Sequence, residues 1–265
     1  MCPAHDREGP IVQRLNIVVP YRAREAHLKF FITHVRAYFA RDKIDRDIPY
    51  RVLVIEQEEG APFNRGALKN IGFQLGRDDS DYTCFHDVDY IPIWADYRWS
   101  ETPVAIVWYG AESRPISMSQ PANRVVHDLE RFAGGAVLTP NHLFEHVNGY
   151  ANDYWGWGYE DLDLKKRFQA AGITLGRRKG TFQPLDHDSE GFESDARPTP
   201  AALANQQRYA MRWPPGPAIA QPDGLKTLAF EVLNRRRLPE EELVERPALW
   251  EMVTVRLKTN PPQTA

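Results

Sequence analysis

The stretch Tyr82-Thr-Cys-Phe-His-Asp-Val-Asp89 constrains this chain more than any other. It reads as a buried apolar strand that stops abruptly in carboxylates. Alternate side chains of a strand point the same way, so Asp87 and Asp89 are expected on one face, and His86 on the opposite face in a structural role. Two acids at the open end of a strand need a cation between or beside them. A hard divalent ion meets that need and can also hold the phosphates of a nucleotide. The alternative is a pair of solvated loop acids.

The preceding chain puts that strand in a parallel sheet. Residues 1–14 are polar and unpatterned, a loose N-terminal arm. Leu15-Asn-Ile-Val-Val-Pro20 is a strand stopped by proline. A helix follows to about Phe39, with Leu28, Phe31, Ile32, Val35 and Phe39 on one face. A second strand spans Tyr50–Glu56. A second helix covers the segment Phe63–Phe73, with Leu68, Ile71 and Leu75 as its inner stripe. Strand and helix alternating this way predict an α/β fold with a covered parallel sheet, whose ligands bind at the carboxyl ends of the strands. Arg22, Arg24, Glu56, Arg65, Asp87 and Asp89 all fall at such ends.

Downstream, Val104–Tyr109 and Phe132–Leu138 read as strands, the second entered through two glycines. Thr139-Pro140 is expected to cap and begin a short helix. A loop from Gly149 to Tyr159 alternates tryptophan with glycine. Glu160 opens a helix to about Ala171, with Leu164, Phe168 and Ala171 inward and Gly172 as its stop. Short strands are expected at Ile173–Leu175 and Thr181–Leu185, before Asp186-His187-Asp188. A helix carrying Leu203, Gln207 and Ala210 comes next. After a loop rich in proline and glycine, Leu225–Val232 and Met252–Leu257 supply late elements. One domain over 15–260 is expected, with a first half (15–110), a second half (130–212) and C-terminal elements (225–258).

Composition excludes several classes. A net charge of -3 gives no reason to expect nucleic acid as a partner. No apolar run approaches the roughly 20 residues of a membrane span. The two cysteines, Cys2 and Cys84, do not make a disulfide framework, so a cytoplasmic setting is the default. There is no Walker loop, dinucleotide fingerprint or nucleophile elbow.

Three constellations carry chemistry. Asp87 and Asp89 with His187 offer oxygen and nitrogen ligands of the kind that Mn²⁺ accepts. The run Trp155-Gly-Trp157-Gly ahead of Glu160-Asp161 joins aromatic faces suited to sugars with a carboxylate suited to a general base. Arg22, Arg24 and Arg65 can grip phosphates bidentately.

On these residues the chain resembles the β-1,4-galactosyltransferase family, glycosyltransferase family 7, and within it the xylosylprotein branch. The resemblance rests on five ordered blocks: Val19–Leu28, Phe63–Phe73, His86–Pro92, Gly134-Gly135 and Tyr154–Asp161. It implies a GT-A type, Rossmann-like fold, Mn²⁺, and inverting transfer of galactose from UDP-galactose to a saccharide hydroxyl, with a xyloside as one candidate acceptor. By motif, Pro20, Tyr21, Arg22, Arg24, Phe63, Arg65, Asp87, Val88, Gly135 and Trp157 would surround the donor. Asp89 and His187 would hold the metal, with Asp186 as a substitute ligand where Pro184 and Leu185 cannot serve. Trp157, Tyr159, Glu160 and Asp161 would face the acceptor, and Asp161 would be the catalytic base. Phe132 would select galactose by leaving little room for an N-acetyl group. Leu162 stands where relatives often have a further acid. The alternatives are transfer of N-acetylgalactosamine on the same fold, and a non-catalytic nucleotide-sugar-binding homologue.

Overall fold

The computed structural model describes residues 12–42, 45, 47–107, 133–185, 198–215, 223–239 and 248–259. In chain order its elements are β1 (Leu15–Tyr21), α1 (Glu25–Arg41), β2 (Tyr50–Gln57), α2 (Arg65–Gly76), β3 (Tyr82–His86), β4 (Tyr90–Trp94), β5 (Val104–Ala105), β6 (Ala136–Pro140), α3 (Asn141–His146), α4 (Glu160–Ala170), β7 (Gly176–Arg177), β8 (Thr181–Pro184), α5 (Pro200–Arg212), β9 (Phe230–Arg237) and β10 (Leu249–Leu257).

Among the described residues one eight-stranded sheet runs β7-β5-β6-β3-β1-β2-β10-β9, and β4 pairs with β8 in a small second sheet. The central strands β3, β1, β2 and β10 are mutually parallel, while β6 and β9 run antiparallel to their inner neighbours. Period-two alternation sends β1 side chains into two cores. Ile17 and Val19 pack with Leu28, Phe31, Val35 and Phe39 of α1. Val18 packs with Leu68 and Ile71 of α2 and with Phe144, Leu164 and Phe168 of α3 and α4. Both faces of the parallel strands are therefore covered, as their unbroken apolar runs require.

Local rules set the element ends. Asn64 caps α2, its Oδ1 accepting from Ala67 N at 2.9 Å. Gly172, at φ +73°, ends α4, and the chain folds back so that Ile173 N donates to Phe168 O at 2.8 Å. That turn keeps Ile173 at the core rather than in a strand, and the strand expected at 173–175 forms later, at Gly176–Arg177.

Other expectations are corrected. Thr139 and Pro140 do not begin a helix: they pair with Thr83 and Tyr82 as the last rungs of β6, and α3 starts at Asn141. The antiparallel ladder outweighs their local capping preference. The strand expected over 104–109 is confined to Val104–Ala105 within the described residues. Ala171 is exposed, being just past the last turn of α4. Asp87 and Asp89 share no strand face, because β3 ends at His86 and residues 87–89 form a turn in which Tyr90 N donates to Asp87 O. Cys84 is buried and free, a small hydrophobe as expected.

Candidate active site

The carboxyl ends of β1 and β3 and the first turns of α2 and α4 meet in one cluster of charges. Its centre is Asp87. Arg65 Nη1 lies 3.2 Å from Asp87 Oδ2, and Lys69 Nζ lies 3.4 Å from Asp87 Oδ1. Arg65 also contacts Glu160, Nε to Oε1 at 2.5 Å, and Lys69 contacts Asp161, Nζ to Oδ1 at 3.1 Å. On the other side of the turn, Arg24 Nη1 lies 3.3 Å from Asp89 Oδ2. The donor-side acid and the expected base are thus joined through one buried lysine, only 1% exposed.

Burial sets the electrostatics. It drives the Asp161 carboxyl upward, Lys69 draws it back, Glu160 and Asp87 oppose and Arg65 assists, leaving it pushed up to about 6. Burial would raise Glu160 too, but Arg65 and Lys69 reverse that and hold it below the usual carboxylate range. Burial lowers Lys69, and Asp161 and Asp87 overcome this and keep it charged. Burial also pushes His86 down to about 4, so its imidazole is neutral. Its Nδ1 faces Asp87 O at 2.9 Å and therefore donates, leaving Nε2 to accept from the Tyr97 hydroxyl at 2.8 Å. His86 is a structural brace of the turn, as expected.

The other residues expected at the donor lie near the carboxyl ends of β1, β2 and β3 or just before α2 and β6. The Arg22 guanidinium lies 5.2 Å from the centre of the Phe63 ring, and its Nη1 donates to Ala61 O. The Tyr21 hydroxyl accepts from Arg24 N, and Pro20 is buried within β1. Val88 is buried in the turn. Gly135, at φ +78°, accepts from Asp87 N at 2.7 Å, and a β-carbon there would come within 2.9 Å of Val107 Cγ2. Glu56 is engaged by the Thr254 hydroxyl of β10 at 2.7 Å. Phe132 lies outside the described residues.

The tryptophan-glycine loop enters α4 through strained backbone, with Gly156, Gly158 and the non-glycine Tyr159 all at positive φ. The Tyr159 ring lies 5.6 Å from that of Tyr209 on α5. Asn205 of α5 aims its side-chain amide at three loop carbonyls, those of Trp155, Trp157 and Gly158, at 2.9, 3.1 and 3.3 Å. Leu162 is half-buried on α4.

Asn205 and Lys69 escaped the sequence reading. For Lys69 a signal existed. Arg65 and Lys69 are like charges one turn apart, a destabilising spacing on a helix unless an anion sits across them. Asp87 is that anion.

The donor chemistry beside Asp89 fits a hard divalent ion. Asp89 and Asp87 offer carboxylate oxygens on one turn, and Asp87 Oδ1 is buried without a hydrogen bond. Leu185 N donates to Asp89 O at 2.7 Å, so the chain leaves β8 beside Asp89 just before Asp186 and His187. Those two lie outside the described residues. Among the described residues, no group of three His, Cys, Asp or Glu side chains is assembled for a metal.

An open α/β sheet with an Asp-x-Asp turn at the carboxyl end of a central parallel strand defines a GT-A type fold. The chain belongs to glycosyltransferase family 7. A model described as the N-terminal region of glycosyl transferase group 7 matches residues 7–99, and one described as the N-terminal domain of galactosyltransferase matches 114–188. Human beta-1,4-galactosyltransferase 7 is 29% identical over 237 residues, covering 87% of this chain and 64% of that protein. The Drosophila melanogaster protein of the same name is 30% identical over 187 residues, covering 69% and 54%. The chain therefore spans between about half and just under two thirds of these curated relatives. In structure it is similar to a mutant Drosophila β-1,4-galactosyltransferase 7 in complex with manganese, UDP-Gal and xylobiose, at a TM-score of 0.69 and 23% identity, covering 94% of this chain and 96% of that one. Among the described residues, no helix is long and apolar enough to cross a membrane.

Proposed function

We propose that this chain is an inverting galactosyltransferase that moves galactose from UDP-galactose to a sugar hydroxyl, with a xyloside as the acceptor class. The observation that carries the reading is the convergence of Asp161 and Asp87 on Lys69. It sets a half-buried carboxylate, pushed up to about 6, against the donor-side acid. The names of the similar proteins support the donor and acceptor chosen.

Each residue then has a physical task. Arg22, stacked over Phe63, and Tyr21 line the nucleotide side. Arg24 and Arg65 present guanidinium groups to the diphosphate. Asp161 takes the proton of the acceptor hydroxyl on the face opposite the leaving group, and its pKa near 6 suits a base at neutral pH. Glu160 stays ionised against Arg65 and fixes the entry of α4. Trp157 covers the sugars and excludes water that would hydrolyse the donor. Mn²⁺, held by Asp89 with Asp186 and His187, would neutralise charge on the departing UDP. Phe132 would favour galactose over N-acetylgalactosamine.

The test is UDP release from UDP-galactose with Mn²⁺, with and without xylosides, glucosides and N-acetylglucosaminides. Acceptor-stimulated release with a xyloside, lost in Asp161→Asn, is expected. UDP binding without release in any arm would overturn the reading in favour of a binding module. Release that no acceptor stimulates would instead indicate a hydrolase.

A further inference from the structure

We propose that Lys69 is a positioning residue for the base: it holds Asp161 through Oδ1, keeps that carboxylate ionised, and ties it to the donor-side acid Asp87. This deepens the galactosyltransferase reading and rests on it for the role of Asp161.

The geometry singles Lys69 out. Its side chain is 2% exposed, so its charge has no solvent to rely on and must be met by protein groups. Three groups meet it. Asp161 Oδ1 lies at 3.1 Å, Asp87 Oδ1 at 3.4 Å, and the Tyr150 ring packs beneath, its centre 5.1 Å from Nζ. Helix α2 holds the lysine rigidly, since Leu68, Asn70 and Ile71 on either side are fully buried. An ammonium fixed in this way orients one carboxylate oxygen and leaves the other for a substrate proton.

The charges around Asp161 make its ionisation depend on this residue. Lys69 and Arg65 face it from α2, Glu160 precedes it on α4, and Asp87 faces it from the turn after β3. Arg65 is already in contact with both Glu160 and Asp87. Without Lys69, Asp161 would be left beside two anions, Glu160 and Asp87, and one cation, Arg65, that contacts both of them. A purely structural lysine could be replaced by any side chain that fills its space. A positioning lysine could not, because its charge is what Asp161 uses.

The experiment compares wild type with Lys69→Met, Lys69→Gln and Lys69→Arg. Two quantities are read: the acidic limb of the kcat profile for galactose transfer, and the titration of the Asp161 carboxyl by ¹³C NMR, assigned with Asp161→Asn. Loss of a cation at this distance should raise the carboxyl by roughly 1–3 pH units in Lys69→Met, with the acidic limb moving the same way. Lys69→Arg keeps the charge and should leave the titration near its wild-type position while kcat falls, because a planar fork replaces a point donor. Where Lys69→Met does not fold, Lys69→Gln removes the charge and keeps a donor, and the same rise is expected. An Asp161 titration that does not move in the charge-removing variant overturns the proposal. If wild type transfers no galactose, the function proposed above fails, and the carboxyl titration still decides the matter for Lys69.

Discussion

Arg65 Nε lies 2.5 Å from Glu160 Oε1, and this one contact joins the first residue of α2 to the first residue of α4. The two helices come from sequence segments almost a hundred residues apart, and the active-site cluster exists because their first turns meet. Glu160 is 3% exposed, so its charge depends on Arg65 rather than on water. Truncating one partner of a buried pair strands the other and costs about 3–5 kcal/mol. Arg65→Ala is therefore expected to lower unfolding stability by several kcal/mol in urea titration. Adding Glu160→Gln to it should restore part of the loss, because the stranded charge is removed. A double variant no more stable than Arg65→Ala would assign the loss to packing instead.

Asn205 extends the same logic to the tryptophan loop. Its amide has two hydrogens and three carbonyls within reach, those of Trp155, Trp157 and Gly158. Arg208 Nη1 donates to its Oδ1 at 3.0 Å, which fixes the amide's orientation. Asn205→Ala leaves buried carbonyls unpaired, at a cost of about 1–3 kcal/mol. The larger effect should fall on the loop. Proteolysis between 155 and 159 should accelerate more than global unfolding does, and transfer should weaken in step. Equal changes in both rates would make Asn205 an ordinary core residue.

What the sequence disclosed and what it hid divide along physical lines. The parallel strands were legible because apolar runs such as Ile17–Val19 and Val52–Ile55 are continuous, and because the helices between them carry a 3.6-residue stripe. Arg24, Arg65, Asp87 and Asp89 were legible because strand ends are where such folds place ligands, and Glu160 and Asp161 because they follow a run that alternates tryptophan with glycine. The pairing among them was hidden, since nothing local in the sequence says that Asp87 lies across both Arg65 and Lys69. The placement of β10 beside β2 was hidden for the same reason: a contact across two hundred residues leaves no period in either segment. Thr139-Pro140 misled because capping preference is local, while the ladder to β3 that overrides it is not.

Gly72 belongs to the hidden part. It reads as a weak point in α2, since glycine costs about 1 kcal/mol against alanine inside a helix. A β-carbon there would sit 2.2 Å from Val18 Cγ1 and 3.1 Å from Ile55 Cγ1. Glycine thus lets α2 lie directly on β1 and β2, which sets how deeply Arg65 and Lys69 reach the cluster. Gly72→Ala should destabilise by about 1–3 kcal/mol despite its better helix propensity. Adding Val18→Ala should recover part of the loss by clearing the nearer contact. A Gly72→Ala protein as stable as wild type in thermal unfolding would mean that α2 can lift from the sheet.

The last prediction concerns a carboxylate far from the chemistry. Asp45 is fully buried; its Oδ2 accepts from the Tyr38 hydroxyl and its Oδ1 from Tyr97 N, each at 2.9 Å. Burial pushes it up to about 7, and Asp42 and Asp96 add to the rise. The folded state thus holds the proton more tightly than the unfolded chain, in which an aspartate titrates near 3.9. Stability from this group is complete below about pH 4 and is lost as pH rises through about 7, on the order of 4 kcal/mol across the window. The Tyr38 hydroxyl can serve either state, since it also lies 2.9 Å from Ala95 O and can donate there while accepting from a protonated Asp45. Asp45→Asn mimics the neutral form and removes the titration. The wild-type minus variant difference in unfolding free energy should fall between pH 4 and 7.5, then level off. A difference that stays flat across that range would mean Asp45 is ionised in the fold and that its two donors outweigh its burial.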